Sequence, residues 1–257
     1  MRWRKQLGLD WLSDRIAPYV NISGRKPISF RDEDGVRIFN DGEDELAGLP
    51  DSTGRSLRHG IAKRKLRIAH AYGIDRHIKV RPGDVVVNCG ANIGMLTLAL
   101  AERGARVLAV EPDPATLKVL RWNVGDNSRV EVVPVGLWTS DGQLTFYQKP
   151  DSADTSAINQ DGPPVSIMAH RLDTLVRQRG IDRLRLLAGD AEGAEPEVVE
   201  GATETLARTD YFAMECGYER RGERTLEKVT QLLEARNFTV VHVTRRNRLI
   251  ARNRSLG

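Results

Sequence analysis

The sequence predicts an α/β protein built on a doubly wound, mostly parallel sheet with helices on both faces. Two observations predict this class. From residue 80 onward, short apolar segments alternate with helical segments at intervals of about 20–25 residues, which is typical of βαβ units. The first apolar segment leads into a glycine-rich stretch and then a helix, as in sheets that bind ligands at the carboxyl ends of their strands. Hydrophobic residues form 40% of the 257-residue chain, so a sizeable core can be buried.

The first half of this region has clear start and stop signals. The predicted elements are a strand at 85–87, a glycine-rich loop at 88–94, a helix at 95–103, a strand at 106–110, a helix from 114 and a strand at 130–135. Gly104 is placed to cap the first helix at its C-terminus. Asp113 is placed to cap the second helix, and Pro114 occupies its first position, where a missing N–H is tolerated.

The second half continues the alternation and ends in a hairpin. The predicted elements are strands at 144–147 and 165–168, a helix at 171–179, a strand at 183–188, a helix at 196–206, a strand at 211–214, a helix at 225–236 and strands at 238–244 and 248–251. Gly180 and Asn237 follow the ends of two helices, where both residue types are favoured. The last two strands are close enough in sequence to form an antiparallel pair.

The N-terminal third is predicted to form a cap packed over the sheet rather than an independent domain. The boundary is placed between residues 1–79, the cap, and residues 80–257, the main domain. Within the cap we expect a helix at 3–19, a hairpin at 28–39 that turns at Asp34 and Gly35, and a helix at 56–72.

The cap carries the whole positive excess of the chain, whose formal net charge is +4. Residues 1–80 contain 16 basic and 11 acidic side chains, and the remainder contains 23 basic and 24 acidic ones. One run of six basic residues has no acidic residue between them: Arg55, Arg58, Lys63, Arg64, Lys65 and Arg67. Such a run can track a nucleic-acid backbone, but a solvated helix face or a small anionic-ligand site is favoured, since no zinc-finger or RNP-type pattern accompanies it.

Composition also bears on location. The two cysteines, Cys89 and Cys216, are too few for a disulfide framework and suit a reducing compartment. The basic N-terminus is not followed by the apolar segment of a signal peptide. The longest apolar stretch, residues 85–101, is interrupted by asparagine and glycine and is too polar to span a membrane. We therefore expect a cytoplasmic protein without a membrane span.

The glycine-rich loop and one acidic residue predict a nucleoside cofactor. Glycines at 88–94 allow the backbone to approach a ligand and leave the helix N-terminal N–H groups free to meet it. Glu111 ends the second strand 21 residues after Gly90, the spacing of an acid that binds two ribose hydroxyls. Asn92 stands where a dinucleotide fingerprint has a second glycine. This favours S-adenosylmethionine over NAD and leaves a nicotinamide-dependent oxidoreductase as the alternative.

Three motifs in this order resemble the FkbM-type family of S-adenosylmethionine-dependent methyltransferases. They are Val85-Val86-Val87-Asn88-Cys89-Gly90-Ala91-Asn92-Ile93-Gly94, then Val110-Glu111-Pro112-Asp113-Pro114, then Gly189-Asp190-Ala191-Glu192-Gly193-Ala194-Glu195 with Glu200-Gly201-Ala202. The resemblance covers roughly residues 80–252, and the third motif is the most family-specific. It implies a Rossmann-like class I methyltransferase fold with a seven-stranded sheet, and methyl transfer, usually to a hydroxyl of sugars, lipids or secondary metabolites.

The resemblance also implies a cofactor site, with two departures. The expected cofactor-binding residues are Asn88, Gly90, Ala91, Asn92, Gly94, Glu111, Pro112, Gly136, Leu137 and Asp190. Family members generally have Asp where this chain has Asn88, and Lys where it has Ala188. These differences keep open a degenerate module that binds the cofactor without catalysis.

The candidate catalytic residues follow the fourth and fifth core strands. Asp190 and Glu215 end these strands, and neighbouring strands lie ~4.8 Å apart, so both carboxylates can reach one ion or one hydroxyl. Glu192 and His170 are further candidates for general acid–base work. Because Ala188 removes a positive charge from this edge, Mg²⁺ held by Asp190 and Glu215 is an option. The alternative for the acids is capping of the following helix.

These observations together predict an S-adenosylmethionine-dependent O-methyltransferase. The acceptor is expected to be a small-molecule or oligosaccharide hydroxyl, carried by a saccharide, a glycolipid precursor or a secondary metabolite. The basic cap suggests that this acceptor is anionic or strongly polar. Nucleic acid is not the expected partner, and a homodimer is possible.

Overall fold

The structure, a computed structural model, describes residues 27–48, 53–148, 156–160 and 162–256. The helix predicted at 3–19 lies outside these residues. The described strands, in chain order, are β1 (Ser29–Glu33), β2 (Val36–Asn40), β3 (Glu45–Gly48), β4 (Val85–Cys89), β5 (Arg106–Val110), β6 (Val130–Val133), β7 (Gly136–Leu137), β8 (Gly142–Tyr147), β9 (Pro164–His170), β10 (Leu184–Gly189), β11 (Thr209–Glu215), β12 (Phe238–Val243) and β13 (Arg248–Asn253). The described helices are α1 (Thr53–Ser56), α2 (Ile61–Ala71), α3 (Met95–Ala101), α4 (Pro114–Val124), α5 (Leu172–Gln178), α6 (Glu195–Glu200), α7 (Thr203–Leu206) and α8 (Leu226–Glu234).

Seven of these strands form the central sheet, in the order β12-β13-β11-β10-β4-β5-β6. The strands from β11 to β6 in this order are parallel, whereas β13 runs antiparallel to both β11 and β12. The strand order reverses between β4 and β10, which lie side by side with Cys89 opposite Gly189. A crevice opens at the carboxyl ends of two such strands, so the topology places a ligand site there. The predicted α/β class and seven-stranded sheet are confirmed.

Both faces of the sheet are buried, and neighbouring residues of each strand point to opposite faces. Val87, Leu187 and Phe212 pack on one face under α5, α6 and α8. Val86 and Leu186 pack on the other face under α2 and α3. Burial on both sides explains why the strands are continuously apolar rather than alternating.

The described part of the cap packs against the loop that follows β4. Strands β1, β2 and β3 form a small antiparallel sheet. Phe39 and Leu46 from this sheet share a buried cluster with Ile61 of α2 and Met95 of α3. Asn123 of α4 adds a polar link, because its side-chain amide forms hydrogen bonds with the backbone of β3 and of the loop after β4.

Three predicted elements differ from the structure. The helix predicted at 56–72 is interrupted before Ile61, because Gly60 has a φ of +94° and the Asp41 carboxylate accepts the Ile61 N–H at 2.7 Å. The helix predicted at 196–206 is divided into α6 and α7 around Gly201, where a Cβ would lie 2.1 Å from the Trp138 carbonyl oxygen. The strand predicted at 130–135 ends at Val133, and β7, β8 and β9 form a separate small sheet. Among the described helices, none has the length and apolar character needed to cross a bilayer.

Candidate active site

A cavity of about 640 Å³ lies at the carboxyl edge of the sheet. Its walls come from the loop after β4, the end of β5, the strand β7, the loop after β10, the end of β11, helix α2 and the turn between β12 and β13. Elements that are far apart in sequence therefore contribute side chains to one space. The volume is in the usual range for small-molecule and cofactor sites, roughly 300–1,000 Å³.

Two glycines bring the loops after β4 and β10 into contact. Gly90 has a φ of +63°, and a Cβ there would lie 1.8 Å from the Asp190 carbonyl oxygen. Gly189 has a φ of +137°, and its Cβ would lie 1.8 Å from the Cys89 carbonyl oxygen. Only glycine tolerates both the backbone conformation and the approach at these positions. The glycine-rich loop predicted from sequence thus forms one wall of the cavity.

Glu111 is fixed at the end of β5 by two backbone hydrogen bonds. Its carboxylate accepts the Asn92 N–H at 2.8 Å and the Asp113 N–H at 2.9 Å, one on each oxygen. Asn92 reaches this position with a φ of +52°, a conformation that asparagine adopts more readily than most residues. Burial raises the pKa of Glu111 to about 7, although both hydrogen bonds oppose the shift. A rigid acceptor therefore lies against the cavity at the position predicted for ribose binding.

The side-chain oxygen of Asn88 has no hydrogen-bond partner among the described residues and lies at the same wall of the cavity. Its Nδ2 donates to Thr97 Oγ1 at 2.8 Å, and the side chain is buried. Its Oδ1 is buried and has no hydrogen-bond partner within the part of the chain that the structure describes. Buried carbonyl oxygens are normally paired, so this oxygen is suited to accept a donor from a ligand in the cavity.

The remaining predicted cofactor residues fall into two groups. Ala91, Pro112, Gly136 and Leu137 line the cavity, as do Asn92 and Asp190. Gly94 does not: it is the N-cap of α3, with a φ of +91°, and a Cβ there would lie 2.8 Å from the Leu120 side chain. Gly94 therefore serves the packing of α3 against α4.

Asp190 and Glu215 both line the cavity, as their strand ends predicted. Asp190 Oδ1 accepts the Glu192 N–H at 3.1 Å. Burial, together with the neighbouring carboxyl groups of Glu195 and Glu215, raises the pKa of Asp190 to about 8. Burial also raises the pKa of Glu215, against the opposing effect of Arg248. A carboxyl group with a pKa in this range can both accept and release a proton near neutral pH.

Arg248 is the principal site residue that sequence reasoning missed. It lies opposite Glu215 in the antiparallel pair β11–β13, and its Nη2 donates to the Glu215 carboxylate. Its guanidinium also lies 5.0 Å from the centre of the Tyr72 ring. The signal was present, because the hairpin predicted at residues 238–251 carries Arg248 at the start of its second strand.

This pair changes the expectation of a metal ion. The premise that the sheet edge lacks a positive charge is wrong, because Arg248 supplies one next to Glu215. Across the described ranges, no group of three or more His, Cys, Asp and Glu side chains is arranged to hold a metal ion. Mg²⁺ at Asp190 and Glu215 therefore has no support from the donor set.

Glu192 and Glu195 belong to the loop between β10 and α6. Glu192 lines the cavity and has a φ of +50°, an uncommon conformation for a residue other than glycine. Glu195 is buried and accepts the N–H groups of Ala191 and Gly193 and the hydroxyl of Thr225. The alternative that Asp190 and Glu192 cap α6 is wrong, since its N-cap is Ala194 without a side-chain hydrogen bond. Glu195 instead holds the loop in shape.

His170 is not brought into the cavity. It ends β9, and its Nδ1 lies 3.1 Å from Asp141 Oδ1. It is absent from the residues that line the cavity. The structure therefore separates His170 from Asp190 and Glu215.

Only some residues of the basic run in the cap lie at the cavity. Arg64 and Arg67 of α2 line the cavity, whereas Lys63 does not and Lys65 pairs with Glu102. Arg246, from the turn between β12 and β13, joins the two arginines at the cavity.

The sheet topology, with a cavity at its switch point, is that of the class I methyltransferase fold. The family model described as the methyltransferase FkbM domain matches residues 88–240, more than half of the chain. The chain belongs to this family. The resemblance found in the three sequence motifs is therefore confirmed, and methyl transfer is favoured over the nicotinamide-dependent alternative.

Three curated methyltransferases are similar in sequence to this chain. The chain is 24% identical over 176 residues to the 2-O-methyltransferase NoeI of Sinorhizobium fredii, covering 60% of this chain and 72% of NoeI. It is 28% identical over 205 residues to the 31-O-demethyl-FK506 methyltransferase FkbM of Streptomyces tacrolimicus, covering 65% of this chain and 77% of that protein. It is 30% identical over 135 residues to the hexuronic acid methyltransferase AglP of Haloferax volcanii, covering 51% and 55%.

The structural comparison concerns the fold alone. The crystal structure of a methyltransferase FkbM from Methylobacillus flagellatus KT superposes with a TM-score of 0.50 at 18% identity. It covers 71% of this chain and 47% of that one, so the present chain spans about half of the solved protein.

Proposed function

We propose that this protein is an S-adenosylmethionine-dependent O-methyltransferase that acts on a hydroxyl of a saccharide, a glycolipid precursor or a secondary metabolite. One observation carries the proposal: Glu111, the free oxygen of Asn88 and Asp190 line one cavity at the sheet's switch point. The names of NoeI, AglP and FkbM, which describe methyl transfer to an oxygen or to a sugar acid, support the acceptor class.

The residues present fit the cofactor. Each oxygen of Glu111 already accepts one backbone N–H and has a second lone pair for a ribose hydroxyl. Asn88 Oδ1 is available to the cofactor's ammonium group. Ala91, Pro112 and Leu137 offer apolar surface to the adenine. When bound, S-adenosylmethionine supplies an electrophilic methyl group on a positively charged sulfur.

The chain's own task is to hold and deprotonate the acceptor. A hydroxyl is a weak nucleophile, so it must lose its proton as it attacks. We assign this proton to the Asp190 carboxylate, whose raised pKa of about 8 makes it a competent base. Glu215 is paired with Arg248 and serves to position that edge of the site. Holding the oxygen close to the methyl carbon contributes a further part of the rate enhancement.

The proposal is tested in two steps. Isothermal titration calorimetry with S-adenosylmethionine measures cofactor binding, and Glu111→Gln serves as the site variant. Methyl-labelled S-adenosylmethionine is then supplied with an extract of the source organism, and the labelled product is identified by mass spectrometry. A methyl ether on a sugar or secondary metabolite supports the proposal. Absence of cofactor binding, or a product methylated on nitrogen or carbon, contradicts it.

A further inference from the structure

Three arginines converge at the mouth of the cavity. Arg64 and Arg67 are three residues apart on α2 and therefore share one face of the helix. Arg246 comes from the turn between β12 and β13, and all three line the cavity. Arg67 and Arg246 are exposed, and Arg64 is half-buried. We refer to these residues as the arginine rim.

The arginine rim lacks the acidic partners found elsewhere in the protein. Within the described ranges, no ion pair joins Arg64, Arg67 or Arg246 to a carboxylate. Among the described residues, the arginines that pair with acids are Arg31, Arg37, Arg103, Arg106, Arg171, Arg177, Arg179, Arg183, Arg185, Arg220, Arg224 and Arg248. The contrast leaves the charge of the rim without a carboxylate partner in the part of the chain that the structure describes, so the rim is suited to bind an anion.

The rim is also electrostatically strained. Burial lowers the pKa of Arg64, and the positive charges of Arg67, Arg248 and Arg246 lower it further. Neighbouring like charges repel, and an anion placed between them relieves the repulsion.

Three of the acids that line the cavity, Glu111, Asp190 and Glu215, do not neutralise the rim. Glu111 is held by two backbone N–H groups, and Glu215 is paired with Arg248. Asp190 has a raised pKa because of burial and neighbouring carboxyl groups, so it is largely protonated below about pH 8. The carboxyl groups of the cavity therefore lie around Asp190, whereas unpaired positive charge lies at the arginine rim.

We propose that the arginine rim is a subsite for an anionic group of the acceptor, so the substrate is a hydroxyl-bearing molecule with a carboxylate or a phosphate, such as an acidic saccharide or a sugar phosphate. This rests on the proposed function. Guanidinium groups suit both anions, because they donate two parallel hydrogen bonds to carboxylate or phosphate oxygens. Three of them converging from two elements would orient the acceptor with its hydroxyl toward Asp190.

The experiment compares charged and neutral sugar probes. Protein labelled with ¹⁵N is saturated with S-adenosylhomocysteine and titrated, at constant ionic strength, with glucuronate, glucose 1-phosphate and methyl glucoside. Arginine Nε–Hε resonances report the binding. The anionic probes are expected to bind about tenfold more tightly than methyl glucoside, and the stronger of the two identifies the preferred anion.

Matched variants locate the site. Arg67→Gln and Arg246→Gln are each expected to weaken binding of the anionic probe about fivefold or more. Lys63→Gln and Arg245→Gln remove a charge from the same helix and the same turn but do not line the cavity, so probe affinity should stay within about twofold.

Several results would overturn the subsite. An equal loss of probe affinity in the control variants would mean that the probe is attracted by the general positive charge of this surface and not by the rim. A loss of S-adenosylhomocysteine affinity in the rim variants, with probe binding unchanged, would assign the rim to the cofactor's own carboxylate. Retention of single-stranded RNA at physiological salt that the rim variants abolish would assign it to nucleic acid. A labelled product without an anionic group would also reject the proposal.

Different results would reject the anion subsite and the proposed function. Failure of cofactor binding or of methyl transfer rejects the function, whereas the probe titration can be run on the cofactor-free protein. If methyl transfer to a neutral acceptor is observed, the function stands and the subsite is rejected.

Discussion

Glu215 and Arg248 lie directly opposite each other in the antiparallel pair β11–β13, and the Arg248 guanidinium donates to the Glu215 carboxylate. The same guanidinium covers the Tyr72 ring, so one side chain joins β13, β11 and the segment after α2. This contact places a permanent positive charge beside the carboxyl groups of Glu215 and Asp190 at the carboxyl edge of the sheet.

Removing Arg248 should destabilise the fold. Both side chains of the pair are largely buried, and a buried carboxylate without its partner is unfavourable. Arg248→Gln is expected to lower the free energy of unfolding by about 1–3 kcal/mol, below the value for a fully buried pair because some solvent reaches it. Urea denaturation of the cofactor-free protein measures this. The double variant with Glu215→Gln should recover part of the loss, and strict additivity would show that the two residues are not coupled.

Glu111→Gln should weaken S-adenosylmethionine binding about tenfold or more. The amide removes the charge that strengthens hydrogen bonds from ribose hydroxyls, and its NH₂ faces one of two backbone donors. Calorimetry measures the affinity, and thermal unfolding checks the fold. Glu200→Gln, an exposed acid at the end of α6, is the matched control. Unchanged affinity would remove Glu111 from the site.

Cofactor affinity should depend on pH through the same residue. Burial raises the pKa of Glu111 to about 7, and only the ionised form accepts both ribose hydroxyls. Affinity is therefore complete above this pKa and falls by up to about tenfold per pH unit as the pH drops below it. Titrations between pH 6 and 8.5 test the sign. The dependence should disappear in Glu111→Gln, and persistence in that variant would point to another group.

Asp190→Asn should abolish most turnover while leaving cofactor affinity nearly unchanged. Loss of a general base typically lowers kcat by roughly 10²–10⁴-fold. In the wild type, kcat should rise with pH toward about 8, because the base acts only when deprotonated. Steady-state kinetics over this range measures both effects, with Asp182→Asn, an exposed acid, as control. Near-normal turnover in Asp190→Asn would contradict the assignment.

Chelation should not change activity. Arg248 already balances the charge of Glu215, and the described residues offer no cluster of three or more ligating side chains for a cation. Dialysis against EDTA followed by an assay with and without added Mg²⁺ measures this. Loss of activity that Mg²⁺ restores would instead support the metal site first expected at Asp190 and Glu215.

The sequence predicted those parts of the protein that depend on local signals. Strand β5 occupies the predicted residues 106–110, and Asp113 caps α4 by accepting the Thr116 N–H at 2.8 Å. Glu111 was found because its position depends only on one strand end and a spacing. These features follow from short-range periodicity, capping and turn chemistry.

The features that sequence reasoning missed depend on tertiary contacts. Arg248 reaches Glu215 through the register of two strands that are 33 residues apart along the chain. The break before Ile61 depends on a carboxylate from Asp41, which lies 20 residues earlier. Gly94 belongs to the predicted cofactor loop, yet it is not among the residues that line the cavity, and a Cβ there would meet the Leu120 side chain. No local pattern contains such information.

The side-chain amide of Asn123 connects the loop after β4 to the small N-terminal sheet through hydrogen bonds. Its Oδ1 accepts the Ala47 N–H at 2.7 Å, and its Nδ2 donates to the carbonyl oxygens of Ala47 at 2.9 Å and Ile93 at 2.7 Å. A displacement of the loop at Ile93 must therefore either carry β3 with it or break these hydrogen bonds. A ligand that holds this loop in place would therefore also restrict the motion of the small N-terminal sheet, because Asn123 of α4 joins the two.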